Sequence, residues 1–492
     1  MNWMIFALGI YFIMMLVIGW VASKRMNNLS DYMLGGRHLN AAVTALSAGA
    51  SDMSGWLLLG LPGSVFLSGL SEGWIVLGLL VGAFLNWQYM APRLRVFTEI
   101  FNNSITIPDY LQHRFADHQN LLRIISALVI MIFFTIYTSS GMVSGGRLFE
   151  TMFDLPETLT LFGTAFSLPS AYIAGVWLTS IVVIIYTLFG GFLAVSWTDF
   201  VQGLIMVLAL IIVPITVIIE SGGITETFDL IRKVDPELLA WAKTDLTFIG
   251  IVSLMAWGLG YFGQPHIIVR FMAISSVKEI KKARNIGMWW MFFSITGAMF
   301  IGLVGIAYFN INPHLTPNNP ETVFIILGKI LFHPFIVGFL MAAILSAVMS
   351  TISSQLLVTS SALTSDFYKA FLHKKASDKE MLLVSRLSVI FISGLALILA
   401  INPSDKILKI VAYAWSGSGA TFGPSLLLAL WWKRIHPIGV LAGMATGLCV
   451  SIFWSKSDTL QHFLDFKVSA FLLSLSAAVL FSLLQPKPTA DL

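Results

Sequence analysis

Residues 47–56 read SAGASDMSGW, and they fall where a membrane helix is expected. Their flanks are apolar and hold no Lys or Arg, yet the stretch carries two glycines, three serines and one carboxylate, Asp52. Glycine weakens a helix interior. A charged side chain at the centre of a span costs roughly 2.5–3.5 kcal/mol on insertion scales. Non-helical backbone persists at that depth only where protein buries it or a wet cavity meets it. The stretch therefore reads as an interrupted helix facing other helices.

The rest of the chain fits that setting. Of 492 residues, 57% are hydrophobic and only 11% charged, with a mean hydropathy of +0.84. A soluble domain is about a quarter charged, so the composition predicts an integral membrane protein. About thirteen apolar stretches are long enough to span, from one near 3–22 to one near 467–485. The polar connections are short, which predicts a single polytopic unit. The first span has no basic residue before it and is followed by Ser23, Lys24 and Arg25. This pattern predicts an uncleaved anchor with its amino terminus outside. In that orientation 19 of the 29 Lys and Arg fall on inner loops, Arg25 and Lys487 among them, and 8 on outer loops. Thirteen crossings then place the carboxyl terminus inside. The net charge of +4 follows from this asymmetry and is no sign of nucleic acid. Cys449, the single cysteine, lies within a span and is expected to pack there.

A second stretch, AWGLGYFGQPH at 256–266, interrupts the span at 247–273 in the same way, and Pro265 removes a backbone donor. The first interrupted span is 41–70, and the two begin five spans apart. An odd number means that they enter from opposite faces. Two five-span halves of opposite topology, each led by a broken helix, are the inverted-repeat plan of many secondary transporters. The halves would cover 40–246 and 247–435, with residues 1–39 and 436–492 as peripheral helices and tail. Freed carbonyls at a break suit a cation, and the amides that start the resumed half-helix suit an anionic group.

Individual residues leave alternatives. Asp52 serves an ion, or its side chain caps the resumed half-helix at Ser54 or Gly55. Ser350 and Thr351 are adjacent hydroxyls in an apolar helix: they bond back to the preceding turn, or with the Ala347 carbonyl they bind Na⁺. Trp257 and Tyr261, four apart, would share one face of a helix, as packing or as the wall of a pocket. GLGYFG at 258–263 matches G-x-G-x-x-G, but it lies inside a span and opens no βαβ unit. H-E-x-x-H, G-x-S-x-G and Walker A sequences do not occur, and the nine histidines do not cluster at metal spacing. This argues against an enzyme. The gathering of polar residues at two breaks argues against a channel, which needs a continuous polar path.

Five stretches carry a resemblance: LGGRHLNAAVTALSAGASDMSGWLLLGLPG (34–63), FFTIYTSSG (133–141), GGFLAVSWTDFVQ (190–202), WGLGYFGQPHIIVRFM (257–272) and AVMSTISSQLLVTSSALTSDFYKAF (347–371). Together they resemble the solute:sodium symporter family, and within it the bacterial proline-transporting branch. The resemblance implies an all-α polytopic membrane protein of leucine-transporter type, with ten core helices in two inverted repeats. It implies Na⁺-coupled uptake of proline across the bacterial inner membrane, with no obligatory protein partner. It implies a sodium site on Ala50, Met53, Ala347, Ser350 and Thr351, with Asp52 touching the ion or supporting it from behind. Substrate contacts would come from Ser54, Gly55, Trp56, Tyr137, Trp257, Tyr261 and Pro265. Arg37 and Asp199 would act in gating or coupling, both near the inner face. Another small amino acid or carboxylate as substrate, or a solute-sensing role on the same fold, are the alternatives. The segment 154–172 is longer than the resemblance leads one to expect and falls on an outer loop.

Overall fold

The computed structural model describes residues 2–24, 29–153, 158–161, 164–167, 169–403 and 405–486. Arg25, Lys487 and residues 154–157, 162–163 and 168 of the segment 154–172 lie outside the described residues. The chain is nearly all helical. The strands among the described residues, Thr158–Leu161 and Thr164–Ser167, pair antiparallel on the long segment that the sequence presents as a loop.

Nine helices among the described residues are long and apolar enough to cross a membrane. Helix Asn2–Ser23 shows how these helices divide their surface. Met4, Leu8, Tyr11 and Met15 are buried against the protein, while Trp3, Phe6, Ile10, Ile13, Val17 and Trp20 are exposed. Both faces are apolar, because the outer one meets hydrocarbon rather than water. Cys449 lies on such an outward face of helix Pro437–Trp454. The expectation that it packs inside is therefore corrected: a small apolar thiol is equally at home against lipid.

Glycine in the left-handed region divides two of the long helices. Gly191, at φ 53 and ψ −157, splits Ala171–Glu220. Gly69, at φ 70, splits the apolar span Trp56–Ile100 between helices Leu61–Ser68 and Gly73–Leu85. A side chain is disfavoured at both backbone conformations.

Both breaks read from the sequence are present. Helix Ala41–Asp52 starts on Asn40, whose side chain accepts from the Val43 amide at 3.0 Å, and it ends at Met53. Met53 leaves helical geometry at φ −81 and ψ 76, and the chain resumes as a π-helical turn, Trp56–Gly60. Helix Phe248–Met255 starts on Thr247, tightens into a 3₁₀ segment, Ala256–Gly263, and resumes as Pro265–Ala273. At one end the two broken elements are stitched together. The Leu39 amide donates to Ala273 O at 3.2 Å and the Ser275 amide to Leu39 O at 2.9 Å.

The 3₁₀ segment packs unusually close. A side chain on Gly263 would stand 2.7 Å from the Gly419 carbonyl oxygen, and one on Gly258 would meet the backbone of Gly78. Glycine permits this backbone-on-backbone approach, and a Cβ on either side would push the elements apart.

Candidate functional site

The two breaks place their polar groups at the centre of the bundle. Helix Pro334–Ser361 crosses the first break closely enough that Ser350 Oγ lies 2.7 Å from the Ala50 carbonyl oxygen. The same hydroxyl lies 2.7 Å from Ser346 O and 3.2 Å from Ala347 O. Thr351 Oγ1 donates to Ala347 O at 3.1 Å. A hydroxyl has one proton, so Ser350 cannot serve all three carbonyls. The remaining oxygens face its lone pairs, an arrangement that a hard cation relieves. The back-bonding and sodium readings of this pair thus share one geometry. The C-terminal end of helix Ala41–Asp52 adds the negative end of its dipole. Ala50, Met53, Ala347, Ser350 and Thr351 are all at most 1% exposed.

Asp52 follows Ala50 on the same half-helix and points elsewhere. Its Oδ2 accepts a hydrogen bond from the Tyr261 hydroxyl, across the second break, and its Oδ1 has no partner. No side chain caps the resumed half at Gly55, so the capping role considered for Asp52 is not made. The Asp52 carbonyl instead receives Trp56 Nε1 at 3.1 Å and the Tyr137 hydroxyl at 3.3 Å. Asp52, Asn86, Tyr261 and Met291 line a cavity of about 20 Å³, room for about one water-sized group.

Ser54, Trp56, Tyr137 and Tyr261 therefore gather around Asp52, while Trp257 lies 6.4 Å from Trp56, ring to ring. Ser54 Oγ is buried without a partner. Gly55 fits against the Ser144 side chain. Trp257 and Tyr261 do not share a face. In a 3₁₀ helix residues three apart eclipse, so positions four apart diverge by about 120°. Tyr261 accordingly packs edge-on to Trp415 at 5.0 Å, and Trp257 turns to Trp56. Pro265 lines a separate cavity of about 20 Å³ with Thr106, Ile130 and Val269.

One turn along from the sodium-type oxygens lies a pair that the sequence reading did not assemble. Arg270 and Asp199 are both 0% exposed, with Arg270 Nη2 3.2 Å from Asp199 Oδ2. Ser47 Oγ donates to the same Asp199 oxygen at 2.7 Å. Arg270 also donates to His266 O at 2.6 Å and to Ser354 Oγ at 2.5 Å. Ser47 sits one turn before Ala50, and Ser354 one turn after Ser350. Asp199 is thus fully buried in the protein. The signal that could have found this pair is Arg270 itself, because a cation inside a span needs a named counter-charge.

Arg37 clasps the stitched end of the broken helices. It donates to Met272 O at 2.7 Å, Ser104 O at 2.9 Å, Asn103 Oδ1 at 3.1 Å and Thr98 Oγ1 at 3.2 Å. Burial, with the nearby Arg95 charge, pushes its guanidinium down to about 10, still well above neutrality, so the clasp stays charged.

Comparison with known proteins gives this geometry its context. The sequence pattern of the Sodium:solute symporter family matches residues 32–447. The high-affinity proline transporter PutP of Bacillus subtilis (strain 168) is 54% identical over 475 residues, covering 96% of this chain and 97% of that one. The sodium/proline symporter of Salmonella typhimurium is 49% identical, covering 98% and 93%. A solved structure of a Na⁺-coupled sialic acid symporter, substrate-bound and outward-open, superposes with a TM-score of 0.82 over 99% of both chains at 20% identity. That likeness establishes the leucine-transporter-type fold. With its pattern matched over most of its length and relatives of about half identity along nearly all of it, this multi-pass membrane chain belongs to the sodium:solute symporter family.

Proposed function

We propose that this protein takes up L-proline together with Na⁺ by alternating access. The observation that carries the reading is the contact of Ser350 with the Ala50 carbonyl at the first break, set in a chain about half identical to proline transporters. Na⁺, as cargo, sits among the carbonyls of Ala50, Met53 and Ala347 and the hydroxyls of Ser350 and Thr351. Asp52, within the same break, supplies the negative charge that favours a cation there. Binding fixes the unwound segment Met53–Ser54, and with it the Gly55 amide and the Ser54 hydroxyl that receive the proline carboxylate. Trp56 and Trp257 cover the ring, Tyr137 and Tyr261 hold the break in register, and Pro265 sets the start of the resumed half-helix. Arg37 and Asp199 with Arg270 keep the inner side closed until both cargoes are aboard.

The proposed frame is thirteen crossings with the amino terminus outside, obtained by dividing the long helices at Gly69 and Gly191 and joining the halves of each broken helix. The repeats run over 40–246 and 247–435. One Na⁺ moving through 100 mV supplies about 2.3 kcal/mol, and a tenfold gradient about 1.4 kcal/mol. With one-to-one coupling these sustain a proline ratio on the order of several hundred.

Uptake of labelled proline into proteoliposomes under an imposed Na⁺ gradient tests the proposal. Accumulation that collapses without the gradient is expected, with Trp257→Ala raising the proline concentration needed for half-maximal rate. Uptake indifferent to Na⁺, or competed better by another amino acid or a short carboxylate than by proline, overturns it.

A further inference from the structure

We propose that the groove between helices Gly73–Leu85 and Val277–Ile311 seats one anionic glycerophospholipid, its acyl chain along the groove and its phosphate on Arg284 and Lys281. The groove encloses about 520 Å³ and is walled by Leu80, Val81, Phe84, Trp289 and Phe292. Phe84 is 43% exposed and Trp289 64%, so the protein leaves this apolar trough uncovered. At one end stands Arg284, its guanidinium 5.4 Å from the Phe84 ring. Its acceptors are the neutral side-chain amides of Asn285 and Gln88. Lys278, Lys281 and Lys282 precede it on the same helix. Among the described residues none of these four cations forms an ion pair.

An apolar trough ending in uncompensated positive charge has the polarity of a lipid with a negative headgroup. Hydrocarbon alone suits any lipid; the cations select the anion, each giving about a fivefold preference near the bilayer surface. The seat touches the transport site, because Met288 lines both this groove and the cavity beside Asp52 and Tyr261.

The test uses the full chain in phosphatidylcholine nanodiscs containing graded brominated phosphatidylglycerol or brominated phosphatidylcholine. Quenching of Trp289 is read as the difference between the unaltered protein and Trp289→Phe. Half-quenching is expected at a mole fraction of phosphatidylglycerol roughly fivefold or more below that of phosphatidylcholine. Arg284→Lys retains the preference, Lys281→Gln at its exposed position reduces it, and Arg284→Gln with Lys281→Gln abolishes it. Equal quenching by the two lipids in the unaltered protein overturns the proposal. So does a preference that survives Lys281→Gln and the double substitution undiminished.

Discussion

Ser350 Oγ and the Ala50 carbonyl oxygen stand 2.7 Å apart although 300 residues separate them in the chain. This contact joins an unbroken helix to the frayed end of a broken one. Ser350→Ala removes the hydroxyl from all three carbonyls it meets. Losing one such buried partner costs about 1–3 kcal/mol. The Na⁺ concentration for half-maximal proline uptake should rise about five- to a hundredfold, measured by Na⁺ titration in proteoliposomes. An unchanged Na⁺ dependence with reduced maximal rate would remove Ser350 from the ion site.

Asp52 and Tyr261 separate charge from hydrogen bonding. Asp52→Asn keeps the size of the group and its bond to Tyr261 but removes the charge. It should weaken Na⁺ activation about tenfold or more, the scale of an interaction with a charged group. Tyr261→Phe leaves the charge and removes one donor, so its effect on Na⁺ activation should be smaller. Equal effects in the two variants would mean that the hydrogen bond, not the carboxylate charge, matters.

For Arg270 and Asp199 the expectation concerns stability first. Removing one partner of a buried pair leaves an uncompensated charge and costs about 3–5 kcal/mol. Arg270→Gln and Asp199→Asn should each lower the thermal midpoint in detergent. The double variant, with no net charge left buried, should recover part of that loss. Additive loss in the double variant would contradict the pairing.

Gly55 offers a steric test. A methyl group there meets the Ser144 side chain, and overpacking typically costs about 1–3 kcal/mol. Gly55→Ala should depress proline binding, measured by Na⁺-dependent binding of labelled proline, and Ser144→Gly in the same chain should restore part of it. No rescue would place the defect in backbone freedom rather than space.

The two breaks were legible because glycine and proline act on the backbone locally, whatever the tertiary setting. The clusters at 47–56 and 256–266 accordingly mark where Met53–Ser54 and Ala256–Gln264 depart from the α-helix. Side-chain direction was less legible. The i, i+4 spacing of Trp257 and Tyr261 implies one face only at 3.6 residues per turn, and the glycines that signal the break also tighten the pitch that the inference needs. Asp52 was recognised as costly, but its partner Tyr261 lies 209 residues away. The Arg270–Asp199 pair escaped for the same reason, since no local pattern points from one to the other. Cys449 shows the opposite limit: hydropathy places a residue inside a span but does not distinguish a face turned to protein from one turned to lipid.

The glycine-on-glycine approach of the second break has a mechanical consequence. Where Gly258 meets Gly78, and Gly263 meets Gly419, no side chains mesh. At these two points the main chain of one element bears directly on the main chain of the next. Trp415 and Asn86, which donate to the Trp257 and Tyr261 carbonyls at 2.8 Å and 3.0 Å, pin the same segment lengthwise. Adding even one methyl group at either point would wedge these layers apart.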